Sequence, residues 1–240
     1  MSFCVYGINA SREAIRSGSA KKVLCSRQAG HSEVVAEAQK LGLPIETVSE
    51  AELQRLSKGG KTQGILVETN PIETHALRDL IAEAKAKPGN RYPLFLMLDG
   101  IQDPHNLGAV LRCCDAFSVD GVILKSKGEV PLNETVARVS TGAIHYVKVA
   151  VVDSLNQAIS ELKDAGYLVL GAEGSATKHL PDFDLKRPVC LLIGSEGFGI
   201  AKKVYESCDD GIRIEMTGHV NSLNASVSAG IVLALTRSLQ

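Results

Sequence analysis

Val189-Cys-Leu-Leu-Ile-Gly-Ser-Glu-Gly-Phe-Gly199 runs from five consecutive apolar residues into a turn built on three glycines. An apolar run bounded so sharply predicts a strand covered on both faces, as the strands of a parallel sheet are. Two further segments are built the same way: Asn106-Leu-Gly-Ala-Val-Leu-Arg112 and Asn221-Ser-Leu-Asn-Ala-Ser-Val-Ser228. Each joins the end of a strand-like run to the start of a helix-like run. In open α/β sheets that junction, outside the carboxyl ends of the strands, is where ligands bind. Three junctions of one kind predict one shared pocket.

Outward from these segments the two kinds of run alternate. From Pro93, strands are predicted at 94–98, 121–124, 146–149, 167–170, 189–193 and 212–214, and helices at 106–117, 132–141, 154–165, 200–207 and 224–238. That is an α/β pattern with helices over a parallel sheet. The earlier residues alternate too, with helices at 12–17, 31–41 and 51–57 and strands at 22–25, 44–48 and 64–68. Between the two parts, Asn70-Pro71 stops a strand and an Ala/Glu/Lys-rich helical stretch follows. Lys87-Pro-Gly-Asn-Arg-Tyr-Pro93 then breaks that stretch. The organisation predicted is a small α/β domain at 1–70, a linker at 71–92 and a parallel-sheet domain at 93–240.

A chain of 240 residues, 45% of them hydrophobic, can bury a sizeable core in one or two domains. No apolar run approaches the roughly 18 residues of a membrane span. Met1-Ser-Phe-Cys-Val-Tyr6 lacks the basic and apolar regions of a signal peptide, so a cytoplasmic protein is expected. Cys4, Cys25, Cys113, Cys114, Cys190 and Cys208 contain no Cys-x-x-Cys pair and are expected to be reduced and mostly buried. Net charge is −1, yet residues 1–92 carry 13 Lys and Arg against 10 Asp and Glu, and the remainder 13 against 17. The basic excess of the first part suits a nucleic-acid face, and equally a set of ordinary solvated charges.

Asp99-Gly-Ile-Gln-Asp-Pro-His-Asn106 turns strand into helix, with Pro104 and Asn106 suited to a helix start. Gly108 and Arg112 are four apart and share one helix face, which lets a ligand come close to the guanidinium. A surface arginine with its stem on the sheet fits the same spacing. Asp99, Asp103 and His105 suit turn chemistry better than any familiar metal spacing, so no metal is expected. Gly194, Gly197 and Gly199 run in the reverse order of the dinucleotide fingerprint. Ile193 stands where a nucleophile elbow requires glycine. What remains is a turn offering its main chain and Glu196 to a polar ligand, or a plain turn with a solvated acid. Ser222 and Asn224 bracket a helix N-terminus, whose free N–H groups are capped or bind polar and anionic groups.

Together, Asp103-Pro-His-Asn-Leu-Gly108 with Arg112, Gly194-Ser-Glu-Gly197 and Ser222-Leu-Asn-Ala-Ser-Val227 resemble the three motifs of the SpoU family of RNA ribose methyltransferases, in their order. Val5-Tyr-Gly-Ile-Asn-Ala10 and Gln63-Gly64 resemble the N-terminal substrate-recognition domain of its RlmB branch, so the resemblance spans the chain. It implies an α/β fold whose C-terminal, SPOUT-type methyltransferase domain holds a deep trefoil knot, an exception to the rule that chains do not thread loops. It also implies S-adenosylmethionine as methyl donor, a homodimer that completes the site, and a guanosine 2′-hydroxyl of 23S ribosomal RNA as acceptor. By motif position, Gly194, Ile214 and Leu223 line the cofactor pocket. Asn106, Arg112, Glu196, Ser222 and Asn224 surround the reacting centre by the same reading. Arg112 is then the principal catalytic residue, stabilising the developing alkoxide electrostatically, since a guanidinium keeps its proton. The alternatives are a transfer-RNA ribose methyltransferase of the same family and a non-catalytic RNA-binding relative.

Overall fold

The computed structural model describes residues 3–87, 91–220 and 222–240. The chain divides into two compact units, Met1–Ile72 with Leu132–Tyr146 and Glu73–Pro131 with Val147–Gln240.

The first unit is built on β1 (Phe3–Tyr6), α1 (Ile8–Arg16), β2 (Ala20–Cys25), α2 (Glu33–Lys40), β3 (Ile45–Thr47), α3 (Glu50–Leu56) and β4 (Ile65–Thr69). Its sheet runs β1-β4-β2-β3, with β4 antiparallel to both neighbours and β2 parallel to β3. Successive strand residues point to opposite faces. Leu24 and Leu66 therefore meet Leu53 of α3, with Tyr6 and Leu56 against them. α1 and α2 bury Ala14, Ile15, Val34, Val35 and Ala38 and pack beside the strands. Ser32 and Ser49 cap α2 and α3 by accepting from the N–H groups of Val35 and Glu52. β1 is an addition to the elements predicted from sequence.

The second unit comprises α4 (Leu77–Ala86), β5 (Leu94–Asp99), α5 (Pro104–Ala116) and β6 (Gly121–Lys125). After α6 (Glu134–Val139), which belongs to the first unit, it resumes with β7 (Val149–Val152), α7 (Leu155–Asp164) and β8 (Leu168–Ala172). β9 (Val189–Gly194), α8 (Lys202–Tyr205), β10 (Asp210–Ile212) and α9 (Ala225–Leu239) complete it. All its strands are parallel, in the order β10-β8-β9-β5-β6-β7. Phe95 and Met97 of β5 and Cys190 and Leu192 of β9 face a core shared with α4, α7 and α8. The alternate residues Leu94, Leu96, Leu98 and Leu191, all buried, point to the other face. There α9 packs on β9 and on α5.

Three predictions from sequence shift. The stretch 71–92 is not a plain linker: Leu77, Leu80, Ile81 and Ala84 recur at helical spacing and are buried in the core of the second unit. The turn expected at 88–90 lies outside the described residues. The segment 132–146, assigned from sequence to the C-terminal domain, joins the first unit. There Arg138 donates Nη1 to the Tyr6 hydroxyl at 3.0 Å and sets its guanidinium 5.4 Å from the ring centroid. The strand expected at 146–149 is β7, beginning at Val149, because Val149 and Ala150 are the residues that pair with Val122 and Ile123.

Candidate active site

α5 starts two residues earlier than its polar signal suggested. Asp103 is the cap, accepting from the His105 N–H at 2.9 Å, and Pro104 takes the first helical position, where no N–H is needed. The Asn106 side chain is thereby left for other work. Its Nδ2 donates to Glu196 Oε1 at 2.9 Å, and its Oδ1 accepts from Asn224 Nδ2 at 2.9 Å. Asn224 Nδ2 also donates to Glu196 Oε1, as does the Ala225 N–H at 3.3 Å. Asn224 Oδ1 caps α9, accepting from the N–H groups of Ser226 at 2.9 Å and Val227 at 3.3 Å. One carboxylate oxygen thus gathers the start of α5, the turn after β9 and the start of α9. These are the three motif segments; Asn221 of the third lies outside the described residues.

Two cavities open on either side of this junction, at the carboxyl ends of the strands. The first, about 390 Å³, is lined by polar groups including Asp99, Gln102, Asp103, Asn106 and Glu196. The second, about 230 Å³, is lined on its apolar side by Ile193, Ile212, Ile214, Met216 and Leu223, with Ser222, Glu173 and Glu196 on its polar side. Ser195, Glu196, Gly199 and Ala225 belong to both walls. Of the residues implied by the resemblance, Gly194, Ile214, Leu223 and Ser222 line the second cavity, Asn106 lines the first, and Glu196 lines both. Asn224 is hydrogen-bonded to two of the lining residues. Gly194 has a packing reason of its own. A Cβ there would lie 2.1 Å from the Gly199 backbone, so only glycine lets the turn fold back on β9.

Arg112 stands apart. It is exposed, lies outside both cavity walls, and has no hydrogen bond or ion pair among the described residues. It is six residues beyond Asn106, hence about 240° round and 9 Å along the helix, which is a different face.

Two carboxylates that looked like loop polarity act as struts. Asp99 Oδ2 accepts from the Ala201 N–H at 2.8 Å, tying the end of β5 to the chain beyond the glycine turn. Glu129 accepts from the N–H groups of Gly100 at 2.7 Å and Ile101 at 2.9 Å, holding the loop that floors the first cavity. Sequence reasoning missed Glu129 because an acid after Ser126-Lys-Gly128 looks solvated, and no local pattern links it to Gly100. Burial pushes the Glu129 carboxyl up to about 7, against the two backbone donors, which favour the charged form. The folded protein therefore keeps this proton between about pH 4.5 and 7, where the unfolded chain has lost it. Stability tied to Glu129 is full below that window and declines as pH rises through it. We expect the Tm of Glu129→Gln minus that of wild type to climb between pH 4.5 and 7 and then level. A difference independent of pH would show that Glu129 titrates normally.

Residues 93–234, more than half of the chain, match the SpoU rRNA methylase family. The chain belongs to this family. Residues 4–75 match the RNA 2′-O ribose methyltransferase substrate-binding family. A Staphylococcus haemolyticus protein assigned to the TrmH family of tRNA/rRNA methyltransferases is 39% identical over 233 residues, covering 95% of this chain and 92% of the relative. The SpoU methyltransferase AviRb from Streptomyces viridochromogenes, solved with AdoMet, superposes with a TM-score of 0.80 at 23% identity, over 99% of this chain and 89% of its own. A solved RNA 2′-O ribose methyltransferase superposes with a TM-score of 0.80 at 25% identity, over 99% of this chain and 88% of its own. This SpoU protein is an RNA 2′-O-ribose methyltransferase, a small substrate-binding module preceding a parallel-sheet SpoU domain.

Proposed function

We propose that this SpoU enzyme transfers the methyl group of S-adenosylmethionine to the 2′-hydroxyl of a guanosine in 23S ribosomal RNA, as a cytoplasmic homodimer of the RlmB branch with a trefoil-knotted C-terminal domain. The observation that carries the reading is the Asn106–Glu196–Asn224 junction between two adjoining cavities. The residues present suit the donor. Ile193, Ile212, Ile214 and Leu223 offer an apolar wall for a nucleoside base, and the carboxylates of Glu173 and Glu196 suit a cationic ligand. When bound, the donor supplies an electrophilic methyl on a sulfonium.

The chain's own residues do the positioning. Asn106 and Asn224 fix Glu196 through Oε1, and Oε2, without a hydrogen bond among the described residues, would accept from the ribose hydroxyl as it gives up its proton. Methyl transfer needs the acceptor oxygen in line with the sulfonium methyl, and cavities that adjoin at Glu196 would let donor and acceptor meet there. Arg112 would act from a second copy. It is exposed on α5, beside α9, whose Val227, Leu235 and Leu239 are exposed apolar side chains, so the two helices suit an interface. The partner subunit's Arg112 would then stabilise the developing alkoxide.

The test is transfer of labelled methyl from S-adenosylmethionine to 23S ribosomal RNA and to bulk transfer RNA. We expect label as 2′-O-methylguanosine in the ribosomal RNA. Label confined to transfer RNA would overturn the target, and label in neither would overturn the reaction.

A further inference from the structure

Phe198 is the most exposed large hydrophobic residue among those described, at 96%. It sits in a turn closed at its base. The Ser195 N–H donates to the Gly199 carbonyl at 3.1 Å, and the Gly199 N–H donates to the Ser195 carbonyl at 2.9 Å. The ring is therefore carried on a braced five-residue loop. Burying a phenylalanine stabilises a fold, yet nothing among the described residues covers this one. Its neighbour Gly197 needs glycine for neither reason that usually applies. Its φ is not positive, and a Cβ there would meet nothing within 4 Å. The two together leave an aromatic face open to an outside group.

What lies around that face identifies the group. Phe198 lines the first cavity with Asn106 and Glu196, so it borders the proposed reacting centre. Lys202 and Lys203 follow on the same chain segment, both exposed. An exposed aromatic ring followed in sequence by two exposed lysines is a combination that suits unpaired RNA, the ring stacking on a base and the cations meeting the backbone. We infer that Phe198 is a stacking platform for a nucleobase of the RNA substrate, at or beside the methylated nucleotide, and so positions the ribose over the Asn106–Glu196 junction. This inference rests on the function proposed above.

The chain has no tryptophan, so Phe198→Trp installs a single fluorophore at this position. Deproteinised 23S ribosomal RNA is expected to quench that fluorescence, with the same midpoint as RNA retention in a filter assay. In methyl transfer, Phe198→Ala is expected to raise KM for RNA by about 5- to 150-fold, the range set by one stacked base, with the affinity for S-adenosylmethionine unchanged. Phe198→Tyr should restore KM, whereas Phe198→Leu, apolar but without a π-face, should not. Rescue by leucine, or RNA binding without quenching, would overturn the stacking role while methyl transfer by wild type leaves the enzyme reading standing. A fluorescence change that follows protein concentration without RNA would place the ring against a second copy instead and overturn the inference. Absence of both methyl transfer and RNA retention in wild type would remove the reading and the inference together.

Discussion

Arg112→Ala lowers the rate of methyl transfer by roughly 100- to 1,000-fold, the cost of removing one charge-stabilising donor, and leaves thermal stability unchanged. The stability half concerns the fold of one chain, in which Arg112 is exposed and unpaired among the described residues, and such surface substitutions stay within about ±0.5 kcal/mol. The rate half follows from the proposed dimer, in which the guanidinium of one copy faces the junction of the other. Mixing variants separates this from a site within one chain. Arg112→Ala and Glu196→Ala are each expected to be nearly inactive as pure dimers. In a symmetric dimer, a mixed pair rebuilds one site from the intact Glu196 of one copy and the intact Arg112 of the other. Random co-assembly should then recover about a quarter of wild-type activity. A mixture that stays inactive would put both residues in the same chain's site. Full activity of Arg112→Ala alone would remove Arg112 from the mechanism.

The site was legible because its parts carry local signals. Each motif follows a strand of a parallel sheet, and carboxyl ends of such strands share one edge. Strand-edge geometry could therefore say that the three segments converge, whereas Asn106, Glu196 and Asn224 are singled out by the family resemblance, and only the fold shows one carboxylate oxygen joining them. What stayed hidden has a weak local signature or none. Glu129 reads as a solvated loop acid, and only the fold sets it against Gly100 and Ile101. The helix at α4 was legible, but its burial was obscured by its Ala, Glu and Lys content, although Leu77, Leu80, Ile81 and Ala84 keep a helical period. Segment 132–146 follows β6 in the chain, and nothing in its composition shows that Arg138 reaches Tyr6. Helix caps mislead in a regular way. Asn106 has the chemistry of a cap, but Asp103 precedes a proline and takes that role.

Asp120→Ala is expected to cost about 3–5 kcal/mol, as removing one member of a buried ion pair does, and to lower Tm by roughly 6–20 °C. Asp120 is a knot of charge rather than a surface acid. Its side chain is 3% exposed, accepts from Lys87 Nζ at 2.8 Å and from the Leu94 N–H at 2.9 Å, and lies 3.7 Å from Arg237. Arg237 joins α9 to two distant stretches of chain, donating to the carbonyls of Phe117 at 2.9 Å, Tyr92 at 2.8 Å and Ser118 at 2.7 Å. Burial draws its pKa down to about 10, with Arg91 adding to the fall and Asp120 opposing it, so it remains charged at neutral pH. Without Asp120 the guanidinium keeps its desolvation and loses its counter-charge, and the buried Leu94 N–H loses its acceptor. Asp120→Asn keeps an acceptor for Leu94 and should cost less. Asp120→Asn combined with Arg237→Met removes both charges, and the double-mutant cycle should show a coupling above about 1 kcal/mol. Additive losses would mean that Arg237 holds α9 through the three carbonyls alone, with Asp120 stabilising the start of β5 independently.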